Sequence, residues 1–139
     1  MCRVLKILHV ILLLAISNFA WSAEEDFPGR KKFPDIPYIE IADLYAKKNR
    51  GETVIVDARS NYEFETLRIK DAVNIPVANK SFEEDIQQLR KKTGKAIVFY
   101  CNGHRCMKSY IAVKRALQAN VDNVFAFDAG IFDWTKKYP

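Results

Sequence analysis

Two thiols five positions apart, Cys101 and Cys106, lie in a single polar, cationic loop: Cys101-Asn102-Gly103-His104-Arg105-Cys106-Met107-Lys108-Ser109. An apolar run, Ala96-Ile97-Val98-Phe99-Tyr100, enters this loop as a buried strand, and Ile111, Ala112, Arg115, Ala116 and Leu117 leave it at helical spacing. A cysteine at the carboxyl end of a strand, facing the start of a helix, sits where backbone N–H groups and the helix dipole favour negative charge. That setting lowers a thiol pKa and makes a thiolate nucleophile, the role expected of Cys101. Gly103 would let successive N–H groups turn inward as an anion nest. Asn102, Gly103, His104, Arg105 and Lys108 form the candidate anion-binding set, the last three of these adding positive charge that depresses the thiol and attracts an anion. Cys106 reads either as a resolving thiol, open to a reversible disulfide with Cys101, or as a packed residue of the helix's first turn. Asp57 and Arg59, at the end of an earlier strand, read either as an ion pair bracing the pocket floor or as an ordinary strand-end pair, and Trp134 and Phe132 read as core.

The elements that must position this loop alternate along the chain. Thr53–Val56, Ala72–Pro76, Ala96–Tyr100 and Asn123–Phe127 read as strands. Helical patterns run through Ile39, Ile41 and Leu44 to a stop at Asn49-Arg50-Gly51, through Glu63, Phe64 and Leu67, through Phe82, Ile86 and Leu89 to Thr93-Gly94, and through Ile131, Trp134 and Tyr138. Strands that are apolar throughout, separated by helices, indicate an α/β fold whose parallel sheet is covered on both faces. In such open sheets the functional crevice lies beyond the carboxyl ends of the strands, where Asp57, Cys101 and Asp128 all fall.

Length and charge narrow the function classes. The 139-residue chain opens with Arg3 and Lys6, an apolar run from Ile7 to Ala20, and small residues around Ala20-Trp21-Ser22. This is the pattern of a cleavable export signal over residues 1–22, with an uncleaved anchor as the alternative. The reading implies a periplasmic or secreted protein with no stable membrane insertion once the leader is removed. The formal charge of +5 falls to +3 without Arg3 and Lys6, a mild excess that suits a small anionic partner. No basic stripe with interleaved aromatics argues for nucleic acid. Residues 23–37 read as an extended lead-in and residues 38–139 as one compact domain. Of three cysteines, Cys2 belongs to the leader, so Cys101 and Cys106 remain as a local pair unlike a disulfide scaffold.

Four stretches in register carry a family resemblance: Val54-Ile55-Val56-Asp57-Ala58-Arg59 with Tyr62-Glu63-Phe64; Ile69-Lys70-Asp71-Ala72-Val73-Asn74-Ile75-Pro76; Val98-Phe99-Tyr100-Cys101 with Ser109; and Asn123-Val124-Phe125 with Ala129-Gly130-Ile131 and Trp134. Together they resemble the rhodanese domain, a single-domain sulfurtransferase fold. The resemblance implies a five-stranded, mainly parallel sheet with helices on both faces. It further implies that Cys101 takes a sulfane sulfur from an anionic donor such as thiosulfate, holds it as a persulfide, and passes it to a thiol or protein acceptor. No cofactor and no metal are implied, since the persulfide itself carries the group. The chain departs from the common pattern where many members have Gly-His-Ile-Pro-Gly-Ala and this one has Leu67-Arg68-Ile69-Lys70-Asp71-Ala72. The usual Cys-x-x-Gly-x-Arg-Ser loop is also altered: Gly103 and Arg105 come one place early, and Cys106 stands where arginine is expected.

Three other classes share parts of this pattern. Cysteine phosphatases and arsenate reductases need the arginine of a Cys-x5-Arg loop to clamp an oxyanion, but Met107 occupies that place. A non-catalytic rhodanese-like binding or regulatory module usually lacks the cysteine that this chain keeps. A metal site could draw on Cys101, His104 and Cys106, but these lie in one short segment, whereas structural zinc takes four ligands from two.

Overall fold

A computed structural model of the chain describes residues 26–139, so the expected leader, its cleavage point and the anchor alternative lie outside the described residues. Six helices and four strands follow in order: α1 (Pro28–Lys32), α2 (Ile41–Asn49), β1 (Thr53–Asp57), α3 (Asn61–Thr66), β2 (Val73–Asn74), α4 (Phe82–Thr93), β3 (Ala96–Tyr100), α5 (Lys108–Gln118), β4 (Val124–Phe127) and α6 (Gly130–Lys137). The sheet order is β2-β1-β3-β4, parallel throughout.

Alternate residues of β3 supply two separate cores. Ile97 and Phe99 join Phe82 and Ile86 of α4 and Ala112, Val113 and Ala116 of α5 on one face. Val98 and Tyr100 join Leu44 of α2 and Ile131 and Trp134 of α6 on the other. Burial on both faces explains why the strands read as continuous apolar runs, and the α/β class with helices on both sides follows directly. The small side chains of Ala112 and Ala116 let α5 sit close on β3 and β4.

Two differences from expectation concern the amino-terminal side. The sheet has four strands where five were expected; the remaining position is a single parallel bridge, Tyr38 to Ala126, secured by the Ile39 amide to the Ala126 carbonyl (2.9 Å) and the Ala126 amide to the Pro37 carbonyl (2.9 Å). Pro37 has no amide to extend the ladder, which restricts the pairing to one rung. The stretch expected as an extended lead-in carries α1 and is fastened to the domain. Phe33 stacks on Tyr110 at 5.4 Å, and Arg30, lying between the rings of Phe27 (4.1 Å) and Tyr38 (3.9 Å), reaches Asp128 with Nε at 2.9 Å.

Local chemistry fixes the remaining joints. Ser60 caps α3 in a reciprocal box with Glu63, and Gly94 closes α4 in the left-handed region at φ +64°. Asp71 adopts φ +67°, a left-handed conformation that glycine takes more easily, at the second glycine of the Gly-His-Ile-Pro-Gly-Ala pattern it resembles. Strand register aligns Asp57 with Tyr100 and Tyr100 with Phe127. The next residues along, Ala58, Cys101 and Asp128, therefore begin the loops at the same edge of the sheet.

Candidate active site

The cysteine loop is held from below, from the side and from behind. Below it lies the expected ion pair: Asp57 and Arg59 are almost fully buried, with Arg59 Nη2 at 2.7 Å and Nε at 3.0 Å from the Asp57 carboxylate. The remaining Arg59 donors reach the Leu67 carbonyl (2.5 Å) and the Asn102 side-chain oxygen (3.2 Å). Asn102 in turn donates to Glu63 at 3.0 Å. The Ser60 hydroxyl, then Asn102 and Lys108, hold the Glu63 carboxylate down at about 2 against a burial penalty, so it stays ionised as the loop's side anchor. In the sequence Glu63 stands in a short helical pattern and in one of the family stretches, and nothing local signals its bond to Asn102, 39 residues away.

Behind the loop, the first amides of α6 take its carbonyls: Ile131 N to Cys101 O at 2.9 Å and Phe132 N to Asn102 O at 3.2 Å. Gly130 makes this approach possible. It stands at φ +65°, and a Cβ there would lie 2.6 Å from the Asn102 carbonyl carbon and the Gly103 nitrogen. We expect Gly130→Ala to destabilise the fold by about 2–4 kcal/mol, combining left-handed strain with a forced shift of the loop. Its urea midpoint would fall and its thiol alkylation rate would change; an unaltered variant would contradict this role for α6.

Within the loop, the Cys106 amide bonds the Gly103 carbonyl at 2.8 Å, folding the chain back so that Cys106 covers Cys101. Cys101 has no exposed surface, and its sulfur lies 3.2 Å from the Cys106 carbonyl oxygen and 3.7 Å from Ser109 Oγ. The two thiols are hydrogen-bonded to one another, and α5 has no side-chain cap, so its first amides are free to turn to sulfur. The Ser109 amide faces Cys101, while the amides of Lys108 and Asn102 face Cys106. Each thiol moves the other's ionisation, in opposite directions. The bond from Cys101, outweighing burial, lowers Cys106 to about 6; the neighbouring Cys106 thiolate, with burial, pushes Cys101 well up. The negative charge expected on Cys101 thus rests on Cys106, because two amides and the Cys101 S–H converge there.

The other expected residues divide by position. Gly103 is buried and does not adopt a positive φ. It admits the Ala129 carbonyl, which a Cβ would meet at 3.3 Å, so its service is close approach to α6. His104 turns to Asp133 (2.5 Å) and lies 4.3 Å from the Phe27 ring. Burial pushes the Asp133 carboxyl up, and its bonds to His104 and Lys136 outweigh this and hold it low. Arg105 is exposed on a cleft of about 350 Å³ that Cys106, His104, Phe132 and Lys136 also line. Lys108 borders a second cleft of about 480 Å³ beside Arg59 and Asn74. Phe132, expected in the core, is 55% exposed, because α6 turns it outward over the first cleft while Trp134 faces the sheet. Asp128 turns away from the thiols to Arg30 and to Tyr110, whose hydroxyl donates at 2.6 Å. Among the described residues, no group of three or more His, Cys, Asp or Glu converges as a metal would require.

A parallel sheet thus ends in a cysteine loop backed by the N-termini of α5 and α6. The rhodanese-like domain model matches residues 40–137, and the chain belongs to that family. Among relatives, it is 33% identical over 99 residues to the tRNA uridine(34) hydroxylase of Cytophaga hutchinsonii, covering 70% of this chain and 31% of that protein. It is 34% identical over 97 residues to the HTH-type transcriptional regulator Rv0324 of Mycobacterium tuberculosis, covering 69% and 40% respectively. The chain thus spans about a third of the length of these curated relatives. The human single-domain sulfurtransferase TSTD1 shares the fold at a TM-score of 0.62 and 19% identity, over 74% of this chain and 98% of that one.

Proposed function

We propose that this domain is a sulfurtransferase in which Cys101 accepts a sulfane sulfur from a small anionic donor such as thiosulfate and yields it to a thiol or protein acceptor. One observation carries the reading: two adjoining thiols at the carboxyl end of β3, one held low and the other high so that the pair keeps one proton at neutral pH, with the amides of Asn102, Lys108 and Ser109 directed at their sulfurs. Such a pair supplies both a nucleophile and its base. Cys106 takes the Cys101 proton along the hydrogen bond between them. The Cys101 thiolate then attacks the outer sulfur of thiosulfate, the S–S bond of the donor breaks, and sulfite leaves with the electron pair. The product is a Cys101 persulfide anion held where amides already point at sulfur.

Because Cys101 has no exposed surface, loading requires the Gly103–Cys106 turn to swing aside, a local opening of four residues closed by one backbone hydrogen bond. Arg105 and Lys136 on the adjoining cleft provide positive charge along the donor's approach. No cofactor enters these steps. An exported location, read from residues 1–22, is part of the same proposal.

The test is a single-turnover assay without acceptor: about one sulfite per chain should be released from thiosulfate as its outer sulfur passes to the loop. A non-catalytic binding module would release none, and that result would overturn the reading. The rate of this burst should fall as pH drops through about 6, where the pair takes up its second proton. The slope there should approach a tenfold loss per pH unit, since only the singly protonated pair reacts. A rate independent of pH between 5 and 7 would contradict the single retained proton.

A further inference from the structure

Building on the sulfurtransferase reading, we propose that Cys106 discharges the Cys101 persulfide by closing an internal disulfide, so that sulfur leaves as hydrosulfide and an external dithiol resets the loop. The contrast in access between the two thiols points this way. Cys101 is fully enclosed beneath the Cys106 backbone, with Ser109 on its other side, so in the closed loop Cys106 is the thiol that meets its sulfur before any external acceptor does. Cys106 is partly exposed on the 350 Å³ cleft and already in hydrogen-bonding contact with Cys101. The turn closed by the Cys106 amide and the Gly103 carbonyl keeps it there, and the amides of Asn102 and Lys108 favour its ionised, attacking form.

The step balances without any other reactant. The Cys101 persulfide anion and the Cys106 thiol give the Cys101–Cys106 disulfide and hydrosulfide. Cys106 sulfur bonds to the inner sulfur of the persulfide, the bond to the outer sulfur breaks, and the Cys106 proton leaves with it. The two cysteine sulfurs are oxidised by two electrons and the sulfane sulfur is reduced by two. A dithiol of the dithiothreitol type then reduces the disulfide by exchange at the exposed sulfur, Cys106, and is itself oxidised to a ring disulfide.

The experiment compares the wild-type chain with Cys106→Ser and Cys106→Ala, each exposed to thiosulfate at pH 9, where an ordinary thiol is largely ionised. Sulfite, hydrosulfide and intact mass are followed together. The wild type should release about one sulfite and about one hydrosulfide per chain and end about 2 Da lighter than its reduced form. Both variants should release sulfite, gain about 32 Da, and release at least tenfold less hydrosulfide. Dithiothreitol should restore the wild-type mass and permit repeated release. A wild type that keeps the added sulfur, or variants that release hydrosulfide at the wild-type rate, would overturn the resolving role while sulfite release leaves the transfer reading standing. Absence of sulfite from all three chains would overturn both.

Discussion

Cys101→Ser is expected to reduce sulfur transfer from thiosulfate to cyanide by about a thousandfold or more, because a serine hydroxyl in the same place is not ionised at neutral pH and does not form the covalent intermediate. The fold should survive. The side chain differs by one atom, Ser109 still offers its hydroxyl and amide, and the α6 amides that hold this stretch bind the backbone of residues 101 and 102. Steady-state cyanolysis measures the effect directly. A variant within tenfold of the wild type would move the sulfur to another group, with Cys106 the first to test.

Arg59→Met should cost about 3–5 kcal/mol of folding stability, the largest loss expected of a single side chain away from the thiols. The reason is what it leaves behind. Asp57 has no exposed surface and receives Arg59 through Nε, Nη2 and the backbone amide, at 2.7–3.2 Å. Deleting the guanidinium strands that carboxylate in the interior and frees the Leu67 carbonyl and the Asn102 side chain together. Because Asn102 links Arg59 to Glu63, the cysteine loop should loosen as well, seen as faster exchange of its amides. Removing both charges in Asp57→Leu with Arg59→Met should recover part of the loss, since the penalty belongs to the unpaired charge more than to the pair. Urea denaturation of the single and double variants decides it, and a single-variant loss below about 1 kcal/mol would contradict the bracing role.

Much of this arrangement was legible in the residues because it is local or periodic. The β3 run Ala96–Tyr100, followed at once by Cys101 and a helix rich in alanine, announced strand, loop and helix in turn. Asp57 and Arg59 are two apart at a strand end, a spacing at which an ion pair needs no distant partner. What escaped depended on parts of the chain far apart. Glu63 meets Asn102 across 39 positions, and Arg30 meets Asp128 across 98, joining a stretch that looked like linker to the end of β4. The outward turn of Phe132 depends on where α6 begins, and that in turn depends on Gly130 fitting against residues 102 and 103. The placement of charge on Cys106 follows from how the turn folds back over Cys101, and spacing alone does not encode that fold. The fifth strand came from the family resemblance and not from a fifth β-branched run; at that place a single Tyr38–Ala126 rung forms.

Sulfur transfer in this loop depends most on one ionised sulfur held there at neutral pH, and alkylation by iodoacetamide as a function of pH measures that directly. With the wild-type chain fully reduced, the rate should rise with a midpoint near pH 6, and the first carboxamidomethyl group should appear on Cys106. Trypsin resolves the two sites by cutting after Arg105 and Lys108. A midpoint near 8.5, the value of an unperturbed cysteine, would contradict the single retained proton and the sulfur chemistry built on it.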